Sequence, residues 1–567
     1  MTKRHLIVFL NVLGAALLCS LPHWASWLAN KGDYTPFSVD PSVSESIYDE
    51  SHYYATGPRR FMVTGSLDAE LDTYELRHLR SGAPTLHSVL IGGGARLLGS
   101  VEAAWALSDA VFPALLWLLI YVWAGAATDS ILLRTAAAWG TLVFPMGPRN
   151  SLLLGWASLI QPLEITRTSQ PELSFPVLLL AAYLAYRALC NSSLKYAVAA
   201  GVLAGVEFYG YYYYWVALYS GLGVLALVCA AQRKWCAVRQ ISVIIAVGAL
   251  VGIRFFYLAV SKDGDDQLAR FNIRGAGVNS VGLLLLCITA WALFALLRRI
   301  DGSTADRFRW TAAALLTLLV GGCIGLNFHL ITGLNLQHTS HFSNRLLQPI
   351  GFLLICLATM AWLHRNGHSK ATWVRVAAGV ALAGSLFVGF YRHYQVSVRT
   401  HDAHRLSSPA MQLLIWIREH VPPLEVIGTV DEEISLLLPT VTPQWGFVPV
   451  QMRSMASNQE IAFRYWVLSK IIGTPQPVVL YVLSGERYRT GASGIGLPRP
   501  VYPVAPILHV TETLSAWEQM DITRALKDRR LDYVVAPVDA SRQRIERYLK
   551  VQSVYRNDRW ELLKVLP

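Results

Sequence analysis

Asp49 and Glu50 stand side by side in the stretch SIYDESHYYATGPRRFMVTG. An adjacent acid pair suits general-base chemistry. One carboxylate takes a proton from an acceptor hydroxyl while that oxygen attacks an activated carbon. Partial burial raises the affinity of such a carboxylate for the proton, and a neighbouring acid raises it further. Arg59 and Arg60 follow nine and ten residues after Glu50, and a guanidinium offers a planar fork of donors that matches a phosphate. The bland alternative is a solvated acid, because the same loop carries Asp33, Asp40, Glu45, Asp68, Glu70, Asp72 and Glu75.

Three further groupings carry chemistry-bearing side chains. Glu172 closes the run Arg167-Thr-Ser-Gln-Pro-Glu172 just before an apolar segment. It reads as a second acid, or as a cap stabilised by the dipole of the helix it precedes. His338, His341 and Arg345 lie in HTSHFSNRLLQP. Arg345 suits a phosphate, or equally an interfacial arginine reaching to lipid headgroups. The two histidines lack a clear third ligand, so a metal role is not assigned, although a divalent cation is left open. Glu207 and Arg254 sit inside apolar runs, where charges are costly and by default face a cavity or each other. Glu207 leads into FYGYYYYW, whose Tyr211 belongs to an aromatic run that suits either a sugar face or an interfacial belt.

These residues need a membrane scaffold. Of 567 residues, 53% are hydrophobic and 15% charged, well below the quarter or so of soluble domains. Apolar runs long enough to cross a bilayer recur through the first 390 residues. The first, Leu6–Leu28, follows Lys3 and Arg4 and reads as a retained signal anchor. Ten more follow: Val101–Val122, Ile131–Met146, Leu173–Leu189, Tyr196–Tyr213, Tyr214–Ala231, Ile241–Val260, Val281–Leu297, Thr311–Ile331, Leu346–Leu363 and Trp373–Tyr391. The expected fold is therefore a polytopic α-helical membrane protein of about eleven spans. Basic residues agree with this count. With the N-terminus inside, the cytoplasmic loops hold Arg187 and Lys195; Arg233, Lys234 and Arg239; Arg298, Arg299, Arg307 and Arg309; and Arg365, Lys370 and Arg375. Loops 29–100, 147–172, 261–280 and 332–345, with the C-terminal tail, are then outside the cytoplasm. The net charge of +12 is consumed largely by this topology and is no sign of nucleic-acid binding.

Within loop 29–100, Asp68–Arg80 and Pro84–Leu98 read as helices lying on the membrane surface. Ser151–Ile160 is too short to span and reads as partly inserted. After a linker at 392–404 the composition changes. Pro409–His420 reads as an amphipathic helix. Val426–Val430, Val478–Val482, Tyr533–Pro537 and Trp560–Val565 read as strands, giving an extracytoplasmic α/β domain over 405–567, separate from a membrane domain over 1–391. The seven cysteines all precede residue 392, which excludes a disulfide framework or cysteine zinc site in the tail. Asp431-Glu432-Glu433 and Glu460…Arg464 are acid and ion-pair candidates in that tail. There is no Walker loop, GxSxG, HExxH or CxxC.

In this order and topology the pieces resemble the GT-C superfamily of membrane glycosyltransferases, most closely the branch of protein O-mannosyltransferases and lipid A aminoarabinose transferases. Tyr48-Asp49-Glu50-Ser-His-Tyr-Tyr54 resembles the family's DE-x-x-Y stretch. Ala83-Pro84-Thr-Leu-His87 with Leu97-Leu-Gly-Ser100 resembles its Pro-containing helix and the turn into span two. Arg167…Glu172 resembles its second acidic site, with Glu in place of the usual Asp. Asn344-Arg345-Leu-Leu-Gln-Pro349 resembles its Arg-Tyr-x-x-Pro segment. The resemblance implies a sugar donor on a polyprenyl phosphate and inversion at the anomeric carbon. It implies Asp49 as base, and Glu50 and Glu172 holding the acceptor or the base. Arg345, Arg59, Arg60 or Arg254 would neutralise the leaving phosphate. His87, Glu207, Tyr211 and His341 are expected to contact substrate. The acceptor, a glycan, lipid or protein, is not fixed. A multi-pass inner-membrane location with the C-terminal domain outside follows. The competing expectation is a transporter or flippase of a lipid-linked saccharide.

Overall fold

The computed structural model describes residues 2–38, 54–66, 73–77, 86–143, 172–260, 272–274, 280–298, 306–328, 330, 334–336, 339–450, 454–484 and 510–567. Two compact units emerge: one from Met1–Ala25, Ala106–Tyr257 and Phe271–Arg399, the other from Ser26–Trp105, Leu258–Arg270 and Thr400–Pro567. The division does not follow chain order. Described parts of loop 29–100, expected with the membrane domain, group with the tail.

The first unit is a helical bundle of a multi-pass membrane protein. Every one of the eleven expected spans appears as a helix. Seven are long and apolar enough to cross a membrane by length and composition, and Lys3–Cys19 with Leu21–Ala29 makes an eighth, bent by 52°. Pro22 explains the bend, since it supplies no amide hydrogen to continue the helical ladder. The other three, Ile131–Val143, Leu194–Val206 and Trp235–Val251, have 13, 13 and 17 residues. At ~1.5 Å per residue, the 13-residue helices rise only about 20 Å, short of the ~30 Å hydrocarbon core.

Two boundaries differ from expectation. The junction placed at Tyr213/Tyr214 falls at Gly210–Tyr211: Leu194–Val206 is followed by a 3-10 turn, Glu207–Tyr209, and then by Tyr212–Ala231. The expected Ile241–Val260 span is divided at Gly252 into Trp235–Val251 and Ile253–Val260. Glycine lets the backbones come close at the same places. A Cβ on Gly205 would meet Val251 Cβ at 2.5 Å and Gly248 O at 2.7 Å, and one on Gly201 would meet Val247 Cβ at 2.7 Å. Gly201…Gly205 and Gly248…Gly252 are thus two small-xxx-small faces in contact. The Tyr212–Ala231 and Asp306–Leu326 helices approach as closely: a Cβ on Gly321 would lie 1.8 Å from Ala217 O.

The second unit holds a five-stranded mixed sheet. Its spatial order is Trp445–Gly446, Val426–Gly428, Tyr533–Pro537, Trp560–Val565, Val551–Arg556; the first three run parallel and the rest antiparallel. Three of the four expected strands and the Pro409–His420 helix are found. Val478–Val482 is instead part of a helix, Gln476–Ser484. Its buried residues Val479, Val482 and Leu483 fall at i, i+3 and i+4, a helical period that the run of valines masked. Val426, Phe447, Val467, Leu468, Ile471, Val534 and Leu563 form the core.

Segments of the early loop complete this unit. Glu75 accepts from Arg464 Nη2 at 2.8 Å and from the Arg530 backbone N at 2.9 Å. Tyr74 packs edge-on against Trp445. Glu460, expected to pair with Arg464, does so at 2.7 Å and also binds Arg529. Burial works to raise the Glu460 pKa, but the two guanidiniums outweigh it and hold the carboxyl below its ordinary value. Asp431 caps the Glu432–Val441 helix through Ile434 N, and Glu433 pairs with Arg559.

Candidate active site

Three helices of the bundle begin close together. Tyr211, the residue before Tyr212–Ala231, donates its backbone N–H to Ser174 Oγ at 3.0 Å, at the first residue of Ser174–Asn191. Tyr214 donates its hydroxyl to the carbonyl of Arg345 at 3.0 Å. Arg345 lies in a π-helical turn, Ser343–Leu347, that leads into Gln348–Arg365. Helix starts carry partial positive charge and unsatisfied amide hydrogens. Their convergence beside a guanidinium favours an anion.

Arg345 is 4% exposed. Its Nη1 donates to the Tyr211 hydroxyl at 2.6 Å, and the Tyr211 hydroxyl lies 2.6 Å from His341 Nδ1. The Tyr211 and His341 rings stack at 5.8 Å, and Tyr213 meets His341 edge-on at 4.7 Å. Three expected site residues, Tyr211, His341 and Arg345, therefore form one hydrogen-bonded chain. Glu172 is 1% exposed and sits two residues before Ser174, at the same helix start.

The Asp306–Leu326 helix seats the π-turn. A Cβ on Gly325 would lie 2.3 Å from the Phe342 ring, and one on Gly322 would lie 2.7–2.8 Å from Leu347 and Leu346. Phe342 is fully buried. Gly322 and Gly325 thus make a bare patch on which the π-turn and Phe342 before it rest, while Gly321 faces Ala217 of the Tyr212–Ala231 helix. Ser174, Tyr214 and these glycines were not anticipated. The GGxxG spacing itself was the available signal.

Other expected residues lie elsewhere. Asp49 and Glu50 are outside the described residues. Glu207 is in the first unit, fully buried in the 3-10 turn, and both its carboxylate oxygens lack a hydrogen-bond partner. The alternative of a Glu207–Arg254 ion pair is not realised. Phe208 beside it fills a box of Trp215, Tyr219, Phe255 and Phe256. Arg59, Arg60 and His87 are in the second unit. Arg59 pairs with Glu102 at 2.7 Å and donates to Thr440 O. Arg60 donates to Pro443 O and lies 3.6 Å over the Trp445 ring. Both are buried, and each donates to a backbone carbonyl of the tail. His87 is 4% exposed, with Tyr54 edge-on at 5.3 Å. Desolvation lowers its pKa to about 4, only partly opposed by a backbone hydrogen bond with Tyr54. Among the described residues no group of three or more metal-ligating side chains is assembled.

No protein-family model and no curated protein matches the chain. Among solved structures, it is similar to ArnT from Cupriavidus metallidurans bound to undecaprenyl phosphate, at 13% identity over 96% of this chain and 97% of that one, TM-score 0.48. The apo state of that protein gives 15% identity over the same shares, TM-score 0.45. The Archaeoglobus fulgidus oligosaccharyltransferase tethered with an acceptor peptide containing the NVT sequon gives 12% identity over 93% of this chain and 69% of that one, TM-score 0.45.

Proposed function

We propose that this chain is an integral-membrane glycosyltransferase that moves a sugar from a polyprenyl-phosphate donor to an acceptor outside the cytoplasm. The observation that carries the reading is Arg345, buried where three helices begin and held there by Tyr211 and Tyr214. Such preorganised positive charge serves a leaving phosphate. Asp49 takes the proton of the acceptor hydroxyl. The acceptor oxygen bonds to C1 from the face opposite the phosphate, the C1–O bond to phosphate breaks, and the lipid phosphate leaves with the electron pair. Inversion follows. Glu50 and Glu172 hold the acceptor or the base. Arg254 is a second candidate for the donor phosphate, and Glu207 and His87 are candidates for substrate contact.

The test is mass spectrometry of envelope glycans and lipids from a deletion strain carrying wild-type, Asp49→Asn or Arg345→Gln protein. The modified product returns with wild type. Asp49→Asn lowers transfer about 100-fold or more, the usual contribution of a general base, at normal membrane abundance. Full activity in Asp49→Asn would sink its assignment as base.

One observation favours transport of a lipid-linked saccharide instead: Glu207, a buried carboxylate where a helix breaks, as in carriers built from discontinuous helices. Detergent-solubilised protein separates the two readings, since an enzyme still forms the new glycosidic bond there and a carrier does not.

A further inference from the structure

Two guanidiniums of the second unit lean on one carboxylate. Arg59, in the Thr56–Thr64 helix, and Arg418, in the Pro409–His420 helix, both donate to Glu102 Oε1, at 2.7 and 3.0 Å. The other oxygen, Oε2, accepts from the Ser100 hydroxyl at 2.9 Å. Both carboxylate oxygens are in use, and among these side chains one negative charge answers two positive ones. Ser100 also accepts from Ala103 N, so it caps the Val101–Ala124 helix, whose first turn holds Glu102. A helix start adds partial positive charge to the same place. Arg59 is 6% exposed and its Nε is fixed on Thr440 O, whereas the Arg418 side chain is 34% exposed. Among the described residues, Arg59 Nη1 and Arg418 Nε and Nη2 have no hydrogen-bond partner. Burial works against the charge on Arg59, and the neighbouring charge of Arg418 adds to that, while Glu102 opposes both. An added anion relieves this repulsion.

The place of Glu102 points to the kind of anion. It lies in the first turn of a helix long and apolar enough to cross a membrane, and the end of such a helix lies at the level of the lipid headgroups. We propose that Arg59 and Arg418 form a binding site for the phosphate of an anionic bilayer lipid. Arg418 offers Nε and Nη2 as a fork for two phosphate oxygens. Arg59 supplies a buried charge, which salt and water screen least. Glu102 holds the two guanidiniums together while no lipid is bound, and competes with the lipid for them. A lipid held there ties the Pro409–His420 helix of the tail to a headgroup. Such a site serves an enzyme and a carrier alike.

In the experiment, the purified full chain in detergent micelles is mixed with phosphatidylglycerol, phosphatidylcholine, inorganic phosphate or undecaprenyl phosphate. Bound lipid is counted by native mass spectrometry, and unfolding is followed by tryptophan fluorescence. Wild type is expected to retain phosphatidylglycerol in preference to phosphatidylcholine and to melt at a higher temperature in its presence. Arg418→Gln removes the exposed fork and weakens retention about tenfold, the scale of lost hydrogen bonds to a charged group. Arg418→Lys keeps the charge without the fork and loses less. Glu102→Gln removes the competing carboxylate. Without lipid it melts below wild type, because the buried Arg59 loses its counter-charge, and it gains more from phosphatidylglycerol than wild type does. Arg542→Gln, at an exposed pair with Glu546 in the same unit, is the control and changes neither reading. A folded Arg418→Gln that retains phosphatidylglycerol as wild type does would overturn the site, and so would a Glu102→Gln whose gain is no larger than that of wild type. Equal protection by inorganic phosphate at the same concentration would overturn its lipid nature. A preference for undecaprenyl phosphate over phosphatidylglycerol that Arg418→Gln abolishes would give the site to the donor lipid instead.

Discussion

His87 shows how far burial alone can set a residue's behaviour. Its imidazole is 4% exposed, and Nδ1 has no hydrogen-bond partner among the described residues. Its folded pKa of about 4 lies below the ordinary 6.5. The unfolded chain therefore binds the proton first as pH falls. The stabilisation is fully present above about pH 6.5 and is lost on the way down to about 4, to the extent of roughly 3 kcal/mol. Unfolding followed by tryptophan fluorescence should show a steeper acid destabilisation in wild type than in His87→Phe; parallel curves would refute it. Local sequence marked Tyr211, His341 and Arg345, each at the edge of an apolar run, and the structure joins the three by hydrogen bonds. Local sequence carried no sign of what Arg59 and Arg60 bind. Their partners, Thr440 and Pro443, stand 381 and 383 residues away, and no spacing rule reaches that far.

At the scale of elements, each of the eleven apolar runs falls on a described helix, but hydrophobic length did not show where the runs break. Gly210 and Gly252 interrupt runs whose apolar character is continuous, so periodicity carried no warning. Close packing marks the break at Gly252, where an added Cβ would lie 2.3 Å from the Phe208 ring, and Gly322 and Gly325 are packed as tightly against Leu346, Leu347 and Phe342. Gly325→Val should push Phe342 away and displace the π-turn. Overpacking of this kind costs about 1–3 kcal/mol. A fall of a few degrees in the detergent melting temperature is expected, with at least tenfold weaker undecaprenyl phosphate binding. Gly223→Ala, where an added Cβ meets nothing within 4 Å, is the control and should leave both unchanged. Equal effects from the two substitutions would contradict the seating of the turn on these glycines. In the tail, the pattern identified strands that alternate or run apolar. It missed Val551–Arg556, whose Gln552, Ser553 and Arg556 dilute the β signal.

At the scale of the whole molecule, composition could not assign the early loop, because that choice rests on tertiary contacts. The second unit draws on Ser26–Trp105 as well as Thr400–Pro567. Residues 405–567 expressed alone should accordingly be digested by protease under conditions where the same region of the full chain survives. Equal resistance would show that the loop contributes nothing to the unit's stability. The pairing of Glu75 with Arg464 spans 389 positions. At a synthesis rate of roughly 5–20 residues per second, Glu75 waits about 20–80 s for its partner to be made. For that interval the Thr56–Thr64 helix, with its two buried arginines, has neither Thr440 nor Trp445 to meet. The newborn chain must therefore hold an unfinished, positively charged surface while more than half of its length is still being inserted into the membrane.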